Sequence, residues 1–481
     1  MIFNSFEFIF VFLPTVFVIY FILNAFNFTS AKVWLILSSL FFYCWWNPKY
    51  LPLILLSLLV NFATSSLLGR TKETKRKKAL LTLGIIFNVA LLGFFKYYDF
   101  FIANLNIAFN TNFSFLHLML PLAISFYTFQ QIAYLVDSYR GETKEYSFLN
   151  YTLFVSFFPQ LIAGPIVYHG QIMNQFENTA NRRIHVKNVS AGLFLFSIGL
   201  FKKVGIADQF AIWANNGFAA ADTLTFVDGW ITSLAYTFQL YFDFSGYSDM
   251  AIGASLFFNI HLPSNFNSPY KALNIQDFWR RWHITLSNFL TRYIYIPLGG
   301  SRITPFRTYL NIMIIFFISG FWHGAGWTFI AWGLMHGAAS VINRAWTNAG
   351  FRLNKFLAWF ITFQFVNASW VFFRAPDFQT AIEVLKSMIG MNGVKMPENI
   401  LTYFQWDIGT AYVYTFSLAE EIWKPVTFII VSFIIAVWAK NSIQLKDTLK
   451  PSIFTSMYAS ILFIYSSYQL QKVSEFLYFN F

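Results

Sequence analysis

Long apolar runs alternate with short polar loops along nearly the whole chain of 481 residues. The runs fall at 1–23, 33–46, 51–68, 79–95, 118–136, 189–200, 230–244, 327–342, 356–373, 426–439 and 453–465. Several approach the roughly 20 residues a helix needs to cross a ~30 Å hydrocarbon core. None alternates polar and apolar positions as a barrel strand does. The pattern therefore predicts an all-α, polytopic transmembrane helical bundle with on the order of eleven to thirteen spanning or partial segments. The run at 155–170 is interrupted by Pro159, Gly164 and Pro165, which predicts a re-entrant or interfacial piece rather than a straight span. Residues 104–114 are polar enough to lie at an interface, and 381–388 reads as a short amphipathic helix. No internal duplication of the inverted-repeat kind divides the chain, so 1–481 is expected to form a single membrane domain.

Charge fixes the expected orientation. The loop RTKETKRKK at 70–78 carries six basic residues against one acid, which places it in the cytoplasm. Three crossings precede it, so the N-terminus is expected outside, in a multi-pass membrane protein. Arg182, Arg183 and Lys187 form a second basic cluster. No Lys or Arg precedes the first apolar run and no small-residue cleavage site follows it, so no cleavable signal peptide is expected.

Composition agrees with a membrane protein. The chain is 57% hydrophobic and 22% aromatic, with 63 phenylalanines and 11% charged residues, against roughly 25% charged in soluble domains. A water-soluble globule is excluded. The net charge of +12 calls for no nucleic acid, because the basic residues sit in short clusters between apolar runs. They would form a positive cytoplasmic rim, attractive to an anionic soluble substrate such as a phosphate-bearing coenzyme. The single cysteine, Cys44, excludes an intramolecular disulfide and is either a buried small apolar residue or a reactive or acylated thiol.

Chemistry gathers in 278–324. The segment FWRRWHITLSNFLTRYIYIPLGG (278–300) has Phe278, Trp282, Phe289 and Tyr293 on one helical face and Arg281, Thr285, Asn288 and Arg292 on another. Continued as one helix, it would line a wet cavity in the bundle. His283 then lies one turn from Arg280 and Ser287, and a nearby guanidinium would keep its imidazole neutral. The second histidine follows from topology. Arg307 and Arg344 flank two apolar runs that join at SGFWHGAG, and about sixteen helical residues from Arg307 reach roughly 24 Å, placing His323 beyond the midplane at a Gly-rich apex. A histidine among tryptophans is either a titratable functional group or a satisfied core residue. A metal pair lacks a third histidine or carboxylate at ligand spacing. His336 is expected to be packing on the far side of the same helix as His323, and His117, His169, His185 and His261 to lie in loops or at interfaces. Asp243 and Asp249, in FDFSGYSDMAIG (242–253), reach membrane depth. They are either parts of a functional or structural network or, for Asp249, a helix N-cap.

With GFWHGAGWTFIAWGLMHG (320–337) and WWNPKY (45–50), these motifs resemble the membrane-bound O-acyltransferase superfamily. Within it the chain is most similar to the bacterial branch of the alginate O-acetyltransferase membrane subunit and peptidoglycan O-acetyltransferases. The resemblance implies a bundle with re-entrant helices around a central funnel, a cytoplasmic acyl thioester donor, acetyl-CoA, and no metal. His323 matches the family's catalytic histidine, and His283 the second histidine that other branches replace by asparagine. The expected roles are His323 as base and His283 as the orienting or oxyanion-stabilising partner, with Arg280, Ser287, Trp322 and Asp243 as substrate contacts. The implied function is O-acetylation of an extracytoplasmic polysaccharide acceptor (alginate, another exopolysaccharide or peptidoglycan) through a periplasmic or surface SGNH-type partner. D-alanyl transfer from an acyl carrier protein to teichoic acid is the near alternative, and a polyanion transporter or flippase the remote one.

Overall fold

The computed structural model of the chain describes residues 1–45, 47–143, 147–398, 413–414, 418, 421–471 and 477. Trp46 of the 45–50 motif lies outside them. The chain divides into two compact units. One comprises Met1–Ile198, Tyr247–Ser264 and Leu449–Ser460; the other comprises Gly199–Gly246, Asn265–Thr448 and Ile461–Phe481.

The first unit begins with α1 (Glu7–Phe26), α2 (Phe28–Cys44), α3 (Pro48–Arg70) and α4 (Thr74–Phe109). It continues with α5 (Ile124–Arg140), α6 (Phe148–Ser156) and α7 (His169–Glu177). Asn27 separates α1 from α2: its backbone is extended, and its side chain accepts hydrogen bonds from the Thr29 and Ser30 N–H groups, satisfying donors that the first helical turn leaves open. Buried polar side chains join the helices. Asn61 on α3 and Asn88 on α4 exchange amide hydrogen bonds of 3.2 and 2.6 Å, while Ser65 meets Ser138 of α5 at 3.0 Å. Such pairs hold helices together where lipid offers no competing donors. Residues 104–109 are helical, because a π turn at Gly93–Tyr97 carries α4 on to Phe109. The interrupted run at 155–170 breaks at Phe157, between α6 and the four-residue helix Phe158–Leu161.

Two further long helices are α8 (Val186–Ala219) and α9 (Phe226–Leu256). The second unit then holds the short α10 (Ile275–Arg281) and α11 (Ile284–Leu290), followed by α12 (Pro305–His323), α13 (Trp327–Asn348), α14 (Lys355–Arg374), α15 (Phe378–Met388) and α16 (Trp423–Val437). The last long helix is α17 (Ile453–Gln469). Met396–Pro397 and Val413–Tyr414 form a two-residue parallel pairing. Helices α1, α3, α4, α8 and α14 are long and apolar enough to cross a membrane, and α2 and α16 are shorter apolar helices. At 31 residues α9 has the length but carries Asp228, Asp243 and Asp249. Asp249 thus sits inside a continuous helix and is not its N-cap.

Side-chain caps set the helix starts around the site. Thr304, ahead of Pro305, accepts from the Arg307 N–H, and Asn354 and Asp377 do the same for Leu357 and Thr380. Helices α12 and α13 form a hairpin through Gly324–Gly326, and their backbones touch. A Cβ on Gly333 would meet the Phe316 carbonyl, and one on Gly320 would meet the Phe329 carbonyl. Gly333→Ala is therefore expected to prise the hairpin apart at a cost of about 1–3 kcal/mol, read as a lower thermal midpoint of the purified protein in detergent. An unchanged midpoint would mean that the helices separate freely.

Candidate active site

The segment from Phe278 is not one helix. It breaks at His283, whose backbone takes the left-handed conformation (φ 42°, ψ 54°) between α10 and α11. A non-glycine residue is held there only when its surroundings over-determine it, and the polar loop before α10 does so. The Asn267 N–H donates to the Arg281 carbonyl on one side of the break, at 2.9 Å, and the Ile284 N–H donates to the Asn265 carbonyl on the other, at 3.0 Å. Thr285 Oγ1 donates to Asn265 Oδ1 at 2.6 Å, and Arg281 reaches both the Asn267 carbonyl and Asp277. The clamp turns the His283 ring inward, where it is fully buried.

Helix α12 ends at His323, so the two rings converge with centroids 6.5 Å apart. Aromatic faces surround them. The Trp322, Phe373 and Trp332 rings stand 4.9, 5.1 and 5.2 Å from His323. Phe244 lies 4.8 Å and Trp322 6.3 Å from His283. Neither nitrogen of His283 has a hydrogen-bond partner among the described residues. His283 lies in the break, outside any spanning helix, and burial pushes its imidazole down to about 3. The ring is neutral at physiological pH, as expected, but burial is the cause, not the Arg280 guanidinium. A neutral imidazole offers one donor and one acceptor, and in a dry aromatic setting both interactions are strengthened.

A cavity of about 280 Å³ opens among chain neighbours of the pair, although neither histidine lines it. Arg280, Ser287, Ser319 and Arg344 supply its polar groups, and Trp279, Leu286, Ile312 and Phe316 are among its apolar walls. Ser319 lies on α12 one turn before His323, so the cavity stops about 6 Å of helix rise short of the His323 ring. Arg280 and Ser287 thus share a site, although the break at His283 removes them from a common helix. Trp322 packs on both histidines.

Asp243 is a correction. Its carboxylate does not line the cavity; it pairs with Lys203 at 2.7 Å and accepts from the Leu477 N–H at 3.3 Å. Lys203 also holds Asp208 at 2.6 Å. The aspartate anchors α9 to the π turn Phe201–Ala207 of α8 and leaves its chain neighbour, Phe244, against His283. His336 is a second correction, because it belongs to α13 and not to the helix of His323. Its Nδ1 accepts from Trp279 Nε1 at 3.2 Å, so Nε2 carries the proton and donates to Ser369 at 2.9 Å. That ring is satisfied and structural.

Sequence reasoning missed Ser319, Arg344 as a cavity residue, and Trp332. The buried Trp332 indole N–H has no partner among the described residues, an unmet donor beside His323. An aromatic in an aromatic-rich run gives no signal of such a role.

Comparison with known proteins adds a second line. The pattern described as MBOAT, membrane-bound O-acyltransferase family, matches residues 137–374, which contain both histidines and the cavity. The chain is 49% identical to a peptidoglycan O-acetyltransferase of Helicobacter pylori, over 100% of this chain and 98% of that one. It is 39% identical to a Pseudomonas aeruginosa protein named "Probable alginate O-acetylase AlgI", over 83% and 76% of the two chains. A teichoic acid D-alanyltransferase of Streptococcus thermophilus is 29% identical over 49% of this chain and 59% of its own.

Proposed function

The chain belongs to the membrane-bound O-acyltransferase family, and from that premise we propose that it moves an acetyl group across the cytoplasmic membrane for O-acetylation of an extracytoplasmic glycan. The observation that carries the reading is the buried His283–His323 pair, 6.5 Å apart, with a cavity holding two arginines that ends one helical turn short of His323, at Ser319. Peptidoglycan is the acceptor we favour, because the relative so named is alike over the whole chain.

In this reading acetyl-CoA is the donor. Arg280 and Arg344 engage its phosphates, and the thioester lies along the apolar wall toward Ser319. His323 takes the proton of the acceptor hydroxyl as its oxygen attacks the thioester carbonyl. The new C–O bond forms, the C–S bond breaks, and the proton passes to the departing thiolate. Neutral His283 and the Trp332 N–H are the donors available to the oxyanion. The acceptor hydroxyl belongs to an SGNH-type partner outside the membrane, which then esterifies the glycan. The N-terminus lies outside, with the basic loop at 70–78 in the cytoplasm.

The testing experiment supplies membranes with radiolabelled acetyl-CoA and measures base-labile label on peptidoglycan, exopolysaccharide and teichoic acid. Label on peptidoglycan is the expected result. No label from acetyl-CoA, with base-labile label appearing on teichoic acid when radiolabelled D-alanine on its carrier protein is supplied in a parallel reaction, would replace the acetyl reading by the D-alanyl one. Arg344→Ala should raise the KM for acetyl-CoA about tenfold or more with little change in kcat, since a charge-assisted hydrogen bond contributes roughly 1.5–3 kcal/mol. An unchanged KM would remove Arg344 from the donor site.

A further inference from the structure

A second cavity lies in the first unit, on the flank of α1 and α2, far in sequence from the histidines. Its volume is about 500 Å³, and it is lined by Met1, by residues from Glu7 to Val16 on α1, and by residues from Trp34 on α2 to Trp45 just past its end. These stretches rise about 14–17 Å at 1.5 Å per residue, half of a ~30 Å hydrocarbon core. The groove thus has the depth of one leaflet. Its rim residues Val11, Leu37 and Phe41 are more than half exposed, so it opens sideways.

Its ends differ in chemistry. The deep end is apolar. The shallow end holds Trp45, a residue type favoured at membrane interfaces, and the exposed carboxylate of Glu7. The neighbouring Met1 amine is pushed down to about 5 by burial, against the opposing pull of the Glu7 carboxylate. Ser38, itself 6% exposed, stands on the groove wall with a hydroxyl that has no partner among the described residues. It lies seven residues, about 10 Å, below Trp45, within the reach of a phosphoethanolamine headgroup from its amine to its glycerol ester.

We propose that this groove is a site for one phospholipid with a primary-amine headgroup, its ammonium on Glu7, its ester near Ser38 and one acyl chain along α1 and α2. A phosphatidylglycerol of the same chains would bring a net negative charge to Glu7 and be disfavoured.

The test delipidates the purified full-length protein and offers it an equimolar mixture of palmitoyl-oleoyl phosphatidylethanolamine and phosphatidylglycerol. Retained lipid is then counted by native mass spectrometry. One phosphatidylethanolamine per chain is expected, preferred about fivefold, the ratio that an exposed ion pair of about 1 kcal/mol gives. Glu7→Gln should equalise the two lipids while keeping one bound. Val11→Trp, a change at an exposed rim position, should empty the groove. Equal retention of both lipids by the wild-type protein, or an unchanged preference in Glu7→Gln, overturns the proposal. So does a lipid-free dimer that Val11→Trp dissociates, since the groove would then hold a second copy of the chain.

Discussion

His323→Phe is expected to lower acetyl-ester formation by about 10²–10⁴-fold, the usual contribution of a positioned general base, while the protein accumulates in the membrane at the wild-type level. Phenylalanine is the informative replacement because His323 is not in an open polar lumen. Its ring is packed among Trp322, Trp332 and Phe373, so His323→Ala removes packing as well as the base and would lower protein level and activity together. Phenylalanine keeps the ring volume and removes only the proton chemistry. The measurement is base-labile acetate on isolated peptidoglycan, normalised to membrane protein detected by antibody. If His323→Phe transfers acetate like the wild type, the ring is core packing and the base must be sought elsewhere.

Lys203→Met should be the most destabilising single substitution near the site, by about 3–5 kcal/mol. Lys203 is nearly fully buried and holds Asp208 and Asp243 at 2.6 and 2.7 Å. Removing its charge leaves two carboxylates facing one another in a low-dielectric interior, where each loses a strong attraction and gains a like-charge neighbour. The loss is read as a lower thermal midpoint in detergent. Lys203→Met combined with Asp243→Leu should recover part of it, because one of the stranded charges is then gone. A fall below about 1 kcal/mol, or no recovery in the double variant, would mean that the carboxylates are satisfied without the lysine. Because Phe244 follows Asp243 and packs on His283, activity of the surviving Lys203→Met protein should fall more than its amount.

Several features were legible along the chain for direct physical reasons. Apolar runs of helical length have one stable solution in lipid, so the all-helical membrane fold and most helix positions followed from hydropathy alone. The helix ending at His323 followed from the distance between Arg307 and the glycines of SGFWHGAG, since a helix rises a fixed amount per residue. The motifs around His283 and His323 marked the family.

Other features depended on groups that meet only in three dimensions. The periodicity of Phe278 to Tyr293 fits an unbroken amphipathic helix, and nothing local to His283 announces a left-handed backbone. The break exists because Asn265 and Asn267, from a loop some sixteen residues earlier, take the hydrogen bonds at Arg281 and Ile284. Asp243 looked like a substrate contact because a membrane-depth carboxylate needs a reason, and the sequence could not show that Lys203, forty residues away, supplies one. His283 was expected to be neutral through a nearby guanidinium, whereas enclosure by rings from separate helices is what strips it of solvent. Sequence by itself determined the class of fold and the family and singled out the two histidines as candidates, because hydropathy, rise per residue and motif are properties of the chain read locally. Only the tertiary structure decided which polar groups are satisfied and which stay available, because satisfaction depends on partners that the chain brings together from afar.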